Sequence, residues 1–546
     1  MVERARGLAE SAGWNLPALD HALASVADPD QAVINLERWL VATGNPRLNA
    51  EEVASHPAGW ARLMRLLGAS QPLSETLVQN PELVHLILSP TTEDWEAEGR
   101  RLLANAPSYS YQLDRLRYLK QRGLISIVSE DLEPGSDPER TWHALSRLAD
   151  TLLKLAYETA WKQHATARGL EYPCPVGVIA FGKHGGNEVN YNSDLDLTYV
   201  LEDGAPEGTE REALRFAEAF GRALTDRMGR GILYRVDLRL RPYGSTGALV
   251  PTMRATESYY GNHAEAWEAM ALIRSRYIVG PSELAERWEI MRNRFAFPRR
   301  TAEATVDELK KLRIRIQVAA PDDDIKRGFG GIRDPEFATQ LLQSIHGFSR
   351  ESVRERETIP ALVQLSRAGI PVAEELASGY RELRRLEHYL QLRNDSQTHR
   401  LPSDPREQVA VARLMGWPDD SLSDESGRLR TETRRAYLAT VGENIVAASK
   451  APSLSPPEME TIDDWFGRLP GGTQFESQLN ENRDSASRVS QIARMAPRLA
   501  SLLGDQVAVT ELIVSGEIEE NDDFPPVRTA EQYRRSAATA MAKCVL

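Results

Sequence analysis

Val176-Gly-Val-Ile-Ala-Phe-Gly-Lys183, followed beyond Gly185-Gly186 by Ser193-Asp194-Leu-Asp-Leu-Thr-Tyr-Val-Leu201, is the stretch that decides how this chain folds. The first run is apolar and ends in glycine and a basic residue, as a buried strand entering a turn does. Gly185-Gly186 predicts a tight turn with positive φ, whose exposed backbone N–H groups can cradle phosphate oxygens. From Asp194 to Leu201 the period is two, so Asp194 and Asp196 share one face of an extended segment and Leu195 and Leu197 take the other. Two carboxylates held side by side repel until a cation neutralises them.

A third acid lies in Tyr234-Arg-Val-Asp-Leu-Arg239. Ile232, Tyr234, Val236, Leu238 and Leu240 alternate with Arg235, Asp237, Arg239 and Arg241, which predicts a third strand with one core face and one polar face. Asp237 between Arg235 and Arg239 fits a metal-bound carboxylate beside guanidinium groups that hold phosphate oxygens bidentately. Hard oxygen ligands select Mg²⁺, with Mn²⁺ as its substitute. The plainer reading makes Asp-x-Asp a solvated strand edge, the glycine pair an ordinary turn and the arginines surface partners of Asp237. The order of the elements is more specific than any one of them, and it points to metal-dependent transfer of a nucleotide or phosphate group. Asp194, Asp196 and Asp237 are the candidate catalytic and metal-binding residues. Lys183, Gly185, Gly186 and Ser193 are the candidate phosphate cradle, with Arg235 and Arg239 beside it.

Gly182-Lys-His-Gly-Gly-Asn-Glu-Val-Asn-Tyr-Asn-Ser-Asp-Leu-Asp-Leu197 resembles the signature of the glutamine synthetase adenylyltransferase/adenylyl-removing family, within the DNA polymerase β-like nucleotidyltransferases. Similar blocks follow in order: Tyr234-Arg-Val-Asp-Leu-Arg-Leu-Arg-Pro-Tyr-Gly244, Tyr259-Tyr260, Trp267-Glu268, Ala271-Leu-Ile-Arg-Ser-Arg276, Asp324-Ile-Lys326, Gly330-Gly-Ile-Arg-Asp-Pro-Glu-Phe337 and Gln397-Thr-His-Arg-Leu-Pro402. Two positions depart from the pattern. His184 replaces a usual leucine and reads as a tolerated loop substitution; Pro335 interrupts an Asp-Ile-Glu-Phe run and suits a helix start. The resemblance implies an α+β, predominantly helical chain, with a polymerase β-like sheet domain flanked by helical bundles. It implies a reversible switch on a tyrosine of glutamine synthetase, with a PII-type signal protein as a possible further partner. Full-length members resemble two copies of the unit. One uses phosphate to remove AMP from adenylyl-tyrosine, releasing ADP, and the other transfers AMP from ATP to the tyrosine. One or two metals would sit on Asp194, Asp196 and Asp237. In transfer Asp237 would accept the tyrosine proton, whereas in phosphorolysis phosphate arrives already ionised.

The expected organisation is an amino-terminal helical region over 1–125, a catalytic domain over 126–295, a helical bundle over 296–450, and a linker with helices over 451–546. Segments 66–88 and 495–514 form a weak repeat, each followed by an acidic linker and a basic helix. The last part therefore reads as the start of a second unit, which makes phosphorolysis the expected direction. ATP-dependent adenylylation and a noncatalytic scaffold binding glutamine synthetase or a PII-type protein are the alternatives. Leu145, Leu148, Leu152, Leu155 and Ala156 mark a helical packing face, and a helix is expected over 210–228 between the second and third acidic strands. Asp307-Glu-Leu-Lys-Lys-Leu-Arg-Ile-Arg-Ile-Gln317 reads as a basic helix leading to Gly330-Gly331. Arg333, Asp334 and Glu336 then stand either at the edge of the site or in a salt-bridged hinge. Gln397-Thr-His399 reads as a helix-end structural motif.

A chain of 546 residues exceeds one core, so several domains are expected. A net charge of −13 disfavours a general nucleic-acid binder, which needs a basic face. Two cysteines, Cys174 and Cys544, supply neither a disulfide framework nor a zinc site. No apolar run long enough for a membrane span or a signal peptide is present, so a cytoplasmic, membrane-free enzyme is expected.

Overall fold

The computed structural model describes residue 7 and residues 23–442, short stretches at 25, 46–52, 54, 91–93, 205–207, 300–302 and 395 excepted. The described residues all fall within one compact unit. The expected linker, second-unit helices and terminal repeat lie outside the described residues.

Helices dominate, and one small mixed sheet lies among them with strand order β3-β2-β1-β4. β1 (Val176–Ala180) runs antiparallel to β2 (Leu195–Leu201) and to β4 (Arg276–Val279), and β2 runs parallel to β3 (Val236–Asp237). The uninterrupted apolar run of β1 follows from burial on both faces. Val176, Val178 and Ala180 enter one core with Leu195, Leu197 and Tyr199, whereas Ile179 enters another with Phe181, Val200, Tyr260 and Trp288. Period two thus divides one strand between two cores.

The helices that frame the sheet are α1 (Tyr109–Asp131), α2 (Pro138–Arg168), α3 (Thr209–Thr225) and α4 (Ser282–Ala296). Downstream come α5 (Glu303–Val318), α6 (Arg333–His346), α7 (Thr358–Arg367), α8 (Glu375–Asn394) and α9 (Leu422–Val441). Helix α2 starts cleanly because Asp137 caps its first turn with Pro138 at the first helical position, and it ends at Gly169 in the left-handed region. Its Leu145-Leu148-Leu152 stripe packs on the sheet with Phe216 and Phe220 of α3. Helix α1 runs through the expected boundary at 125/126, and α8 shares a core with the amino-terminal helices through Leu386, Tyr389 and Leu390. The basic helix read at 307–317 lies within α5. Pro335 occupies the first turn of α6, where its missing N–H has no intrahelical partner to lose. Among the described residues no helix is long and apolar enough to cross a membrane.

The third strand is much shorter than the alternation predicts. Before it, the N–H groups of Leu233 and Tyr234 both return to Leu224 O at the end of α3. After it, Arg241 folds back and donates to the carbonyls of Leu238 and Ser245, both at 2.9 Å. Side-chain bonds to the backbone therefore turn the chain after Asp237, and Leu240 leaves the core face for the opposite side of the sheet.

Candidate functional site

Register brings two of the acids together. Asp196 pairs with Asp237 across the parallel β2–β3 ladder, so both carboxylates leave one face from strands about 4.8 Å apart. Asp194 precedes β2 and accepts Arg235 Nε at 2.7 Å. Asp237 accepts Arg239 Nε at 2.8 Å and the Arg239 backbone N–H at 2.9 Å. Those bonds hold Asp237 below the usual carboxylate range. Asp196 behaves oppositely: burial, then Asp237, and more weakly Asp194 push it up to about 6. Arg333 and Lys326 oppose the rise through space rather than through a hydrogen bond. The Asp196 carboxylate lies over Gly182, where a Cβ would stand 2.4 Å from Oδ2 and where φ is +56°, so the position takes only glycine.

A half-buried carboxyl destabilised by two like charges is what a hard divalent cation relieves, and Asp196 with Asp237 fits one by ligand type and placement. As they stand, no three acidic, histidine or cysteine side chains among the described residues are gathered closely enough to hold an ion. Asp194 and Asp237 are each turned onto an arginine.

The turn differs from its expected form. Positive φ falls at Gly182 and Asn187, not at Gly185-Gly186. Gly185 closes the single helical turn Gly182–Gly185, and a Cβ there would lie 1.9 Å from Arg274 O; a Cβ on Gly186 would lie 2.6 Å from Arg274 Nη2. Both glycines are buried and admit the Arg274 segment. Ser193 is buried as well, its Oγ accepting Asn190 N–H at 3.0 Å. Lys183 is the charged member of the proposed cradle, and it sits 2.6 Å from Glu387 on α8. Burial lowers Lys183 to about 7 against the pull of Glu387.

His184 is more than a loop substitution. It is buried with Nε2 2.7 Å from Asp150 of α2, and Arg276 of β4 donates to the same carboxylate at 2.7 and 3.0 Å. Burial raises Asp150, but these two partners outweigh it and hold it at about 2. The contact clamps the turn onto the sheet.

Sequence reasoning missed a buried ionic network behind the turn. Glu188 accepts the Thr358 N–H at 2.7 Å and the Tyr380 hydroxyl at 2.6 Å, and pairs with Arg274 and Arg384. Glu336 accepts Arg274 at 2.9 Å and Arg333 at 3.0 Å. The three residues left between site edge and hinge therefore separate. Asp334 is a structural hub, accepting Arg313 at 2.8 Å and Gly330 N–H at 2.8 Å, whereas Arg333 acts on Asp196. The 397–399 motif is structural as read: His399 O accepts Ile325 N–H at 3.0 Å and its Nε2 stands 3.3 Å from Asp324.

Residues 60–290 match the family model described as glutamate-ammonia ligase adenylyltransferase, and residues 300–442 match that of GlnD PII-uridylyltransferase. The bifunctional glutamine synthetase adenylyltransferase/adenylyl-removing enzyme of Cutibacterium acnes is 33% identical over 455 residues, covering 78% of this chain and 45% of that protein. Proteins of the same description from Streptomyces avermitilis and Stenotrophomonas maltophilia are 33% and 32% identical, covering 77% and 75% of this chain and 43% and 45% of theirs. The chain thus spans less than half the length of these relatives.

Proposed function

This chain belongs, through residues 60–290, to the glutamate-ammonia ligase (glutamine synthetase) adenylyltransferase family, and we propose that it removes AMP from an adenylyl-tyrosine of glutamine synthetase by phosphorolysis. The observation that carries the proposal is the register pairing of Asp196 with Asp237, with Asp196 left as the uncompensated charge. In the reaction an oxygen of phosphate attacks the adenylyl phosphorus and the tyrosyl O–P bond breaks. ADP forms, and the tyrosine oxygen leaves with the bonding pair and takes a proton from solvent. A divalent ion, Mg²⁺ or Mn²⁺, on Asp196 and Asp237, with Asp194 as a further ligand, would withdraw charge from the phosphoryl oxygens and stabilise the leaving oxygen.

The residues of the chain do the remaining work. Arg239 is exposed and Arg235 half-exposed, so either can exchange its carboxylate for a phosphoryl oxygen and hold the transferring group in line. Asp237, held ionised by Arg239, is a poor acceptor for a tyrosine proton. That weighs against the opposite activity, transfer of AMP from ATP with release of pyrophosphate, in which the tyrosine must be deprotonated. We assign the chemistry to the 126–295 region and the flanking cations to 296–450. A PII-type signal protein is the proposed regulator, on the match of residues 300–442, and the cytoplasm the proposed place of action.

The test incubates the whole chain with Mg²⁺ and either adenylylated glutamine synthetase plus phosphate or the unmodified enzyme plus ATP. ADP release in the first mixture, abolished by Asp196→Asn, is expected. AMP incorporation in the second with none released in the first would reverse the assignment, and silence in both would leave a binding scaffold.

A further inference from the structure

Lys326 and Arg333 come from the downstream helical part of the chain, yet they belong to the surroundings of Asp196: Gly182 lies against the Asp196 carboxylate, Lys183 next to it pairs with Glu387, Lys326 shares that glutamate, and the charge of both cations reaches Asp196. Their backbones are joined: Arg333 N–H donates to Lys326 O at 3.0 Å, and Ile332 N–H to Ile325 O at 3.0 Å. Gly331 makes the join possible, since a Cβ there would lie 2.7 Å from Ile325 O and 2.8 Å from Lys326 O. The two side chains are steered by buried carboxylates. Lys326 Nζ stands 3.9 Å from Glu387 Oε1, an oxygen that is buried and without a hydrogen bond among the described residues. Arg333 Nη1 donates to Glu336 Oε2 at 3.0 Å.

Charge in this cluster does not balance. Its carboxylates are Glu188, Glu336 and Glu387, all buried and all paired with cations. Against these three stand five cations: Lys183, Lys326, Arg274, Arg333 and Arg384. Because burial lowers Lys183 to about 7, the arginines and Lys326 alone leave one positive charge in excess over the three glutamates. Arg274 and Arg384 are buried in bonds to glutamates, while Lys326 and Arg333 keep 24% and 52% of their side-chain surface open to solvent. The excess thus lies on the two cations that remain open to solvent, where a phosphate oxyanion can take it up.

We propose that Lys326 and Arg333 form an oxyanion subsite that holds the incoming phosphate beside the Asp196–Asp237 pair, with Glu387 and Glu336 as positioning residues. The assignment rests on the phosphorolytic reading of the site and deepens it by naming the acceptor's ligands. The same chemistry would also suit the pyrophosphate end of ATP, so the experiment separates the two sources. Binding of inorganic phosphate and of pyrophosphate to the whole chain is measured by calorimetry in metal-free buffer. The proteins are the wild type, Arg333→Gln, Lys326→Gln and the surface control Arg428→Gln, which removes one charge elsewhere.

Phosphate binding to the wild type, weakened about tenfold or more by either site substitution and unchanged in the control, is expected. In turnover the half-saturating phosphate concentration should rise in step while that for adenylylated glutamine synthetase stays constant. Partial recovery in Arg333→Lys would show that charge, not loss of fold, is responsible. Phosphate affinities within twofold of wild type in both variants would overturn the subsite, as would binding of pyrophosphate without phosphate. Failure of the functional reading looks different: phosphate would bind through Arg333 with no ADP released from the adenylylated substrate.

Discussion

Replacing Asp196 with asparagine should stabilise the metal-free protein while abolishing its activity. Asparagine keeps the shape of the side chain and removes only the charge. In the folded state that charge is opposed by burial, by Asp237 across the ladder and by Asp194 two residues back, which together raise the pKa from 3.8 to about 6. At ~1.36 kcal/mol per pKa unit the penalty at pH 8 is about 3 kcal/mol. The sign follows from proton counts. Between pH 4 and 6, roughly, the folded carboxyl binds more protons than the unfolded one, so the wild type loses stability as pH rises through that window. The advantage of Asp196→Asn should be complete above the folded pKa and absent below the unfolded value of 3.8. Urea unfolding of both proteins in chelator at pH 8 and near pH 4, followed by tryptophan fluorescence, reads the difference directly. Mg²⁺ at about a thousand times its Kd should invert the order, since it stabilises the protein that binds it by about 4.1 kcal/mol. A variant less stable than wild type in chelator at pH 8, or a difference independent of pH, would refute the reasoning.

Other substitutions test the surroundings of the site. Glu188→Gln leaves Arg274 and Arg384 with one counter-charge fewer in a buried setting, and it should cost about 3–5 kcal/mol in urea unfolding. Gly185→Ala forces a Cβ against Arg274 O at 1.9 Å; the expected loss is about 1–3 kcal/mol, seen as a lower unfolding midpoint, while Gly204→Ala, which meets nothing within 4 Å but has φ +77°, should lose less. Arg239→Gln removes the competitor for the Asp237 carboxylate, so Mn²⁺ titration should show tighter binding even as turnover falls through loss of the phosphoryl contact.

What could be read from the sequence was what local pattern controls. The apolar run of β1 and the period-two acids of β2 depend on neighbours within a few residues. The third strand was overread because alternation at 232–241 continues past the point where Arg241 folds back on Leu238 and Ser245. Positive φ was expected at the glycine pair, yet Gly182 and Asn187 adopt it, and the pair is small because Arg274 crosses behind it. Contacts of long range left no local trace. Lys183 meets Glu387 across 204 positions, and Glu188 meets Thr358, Tyr380 and Arg384 across at least 170. Only the fold joins the downstream cations to the acids of the sheet.

The central claim is that Asp196 and Asp237 hold a divalent ion together, and Mn²⁺ binding followed by electron paramagnetic resonance tests it most directly. Wild type should bind the ion near neutral pH, and Asp196→Asn and Asp237→Asn should each weaken binding at least about tenfold, the loss of one charged ligand. Wild-type affinity in both variants would contradict the claim.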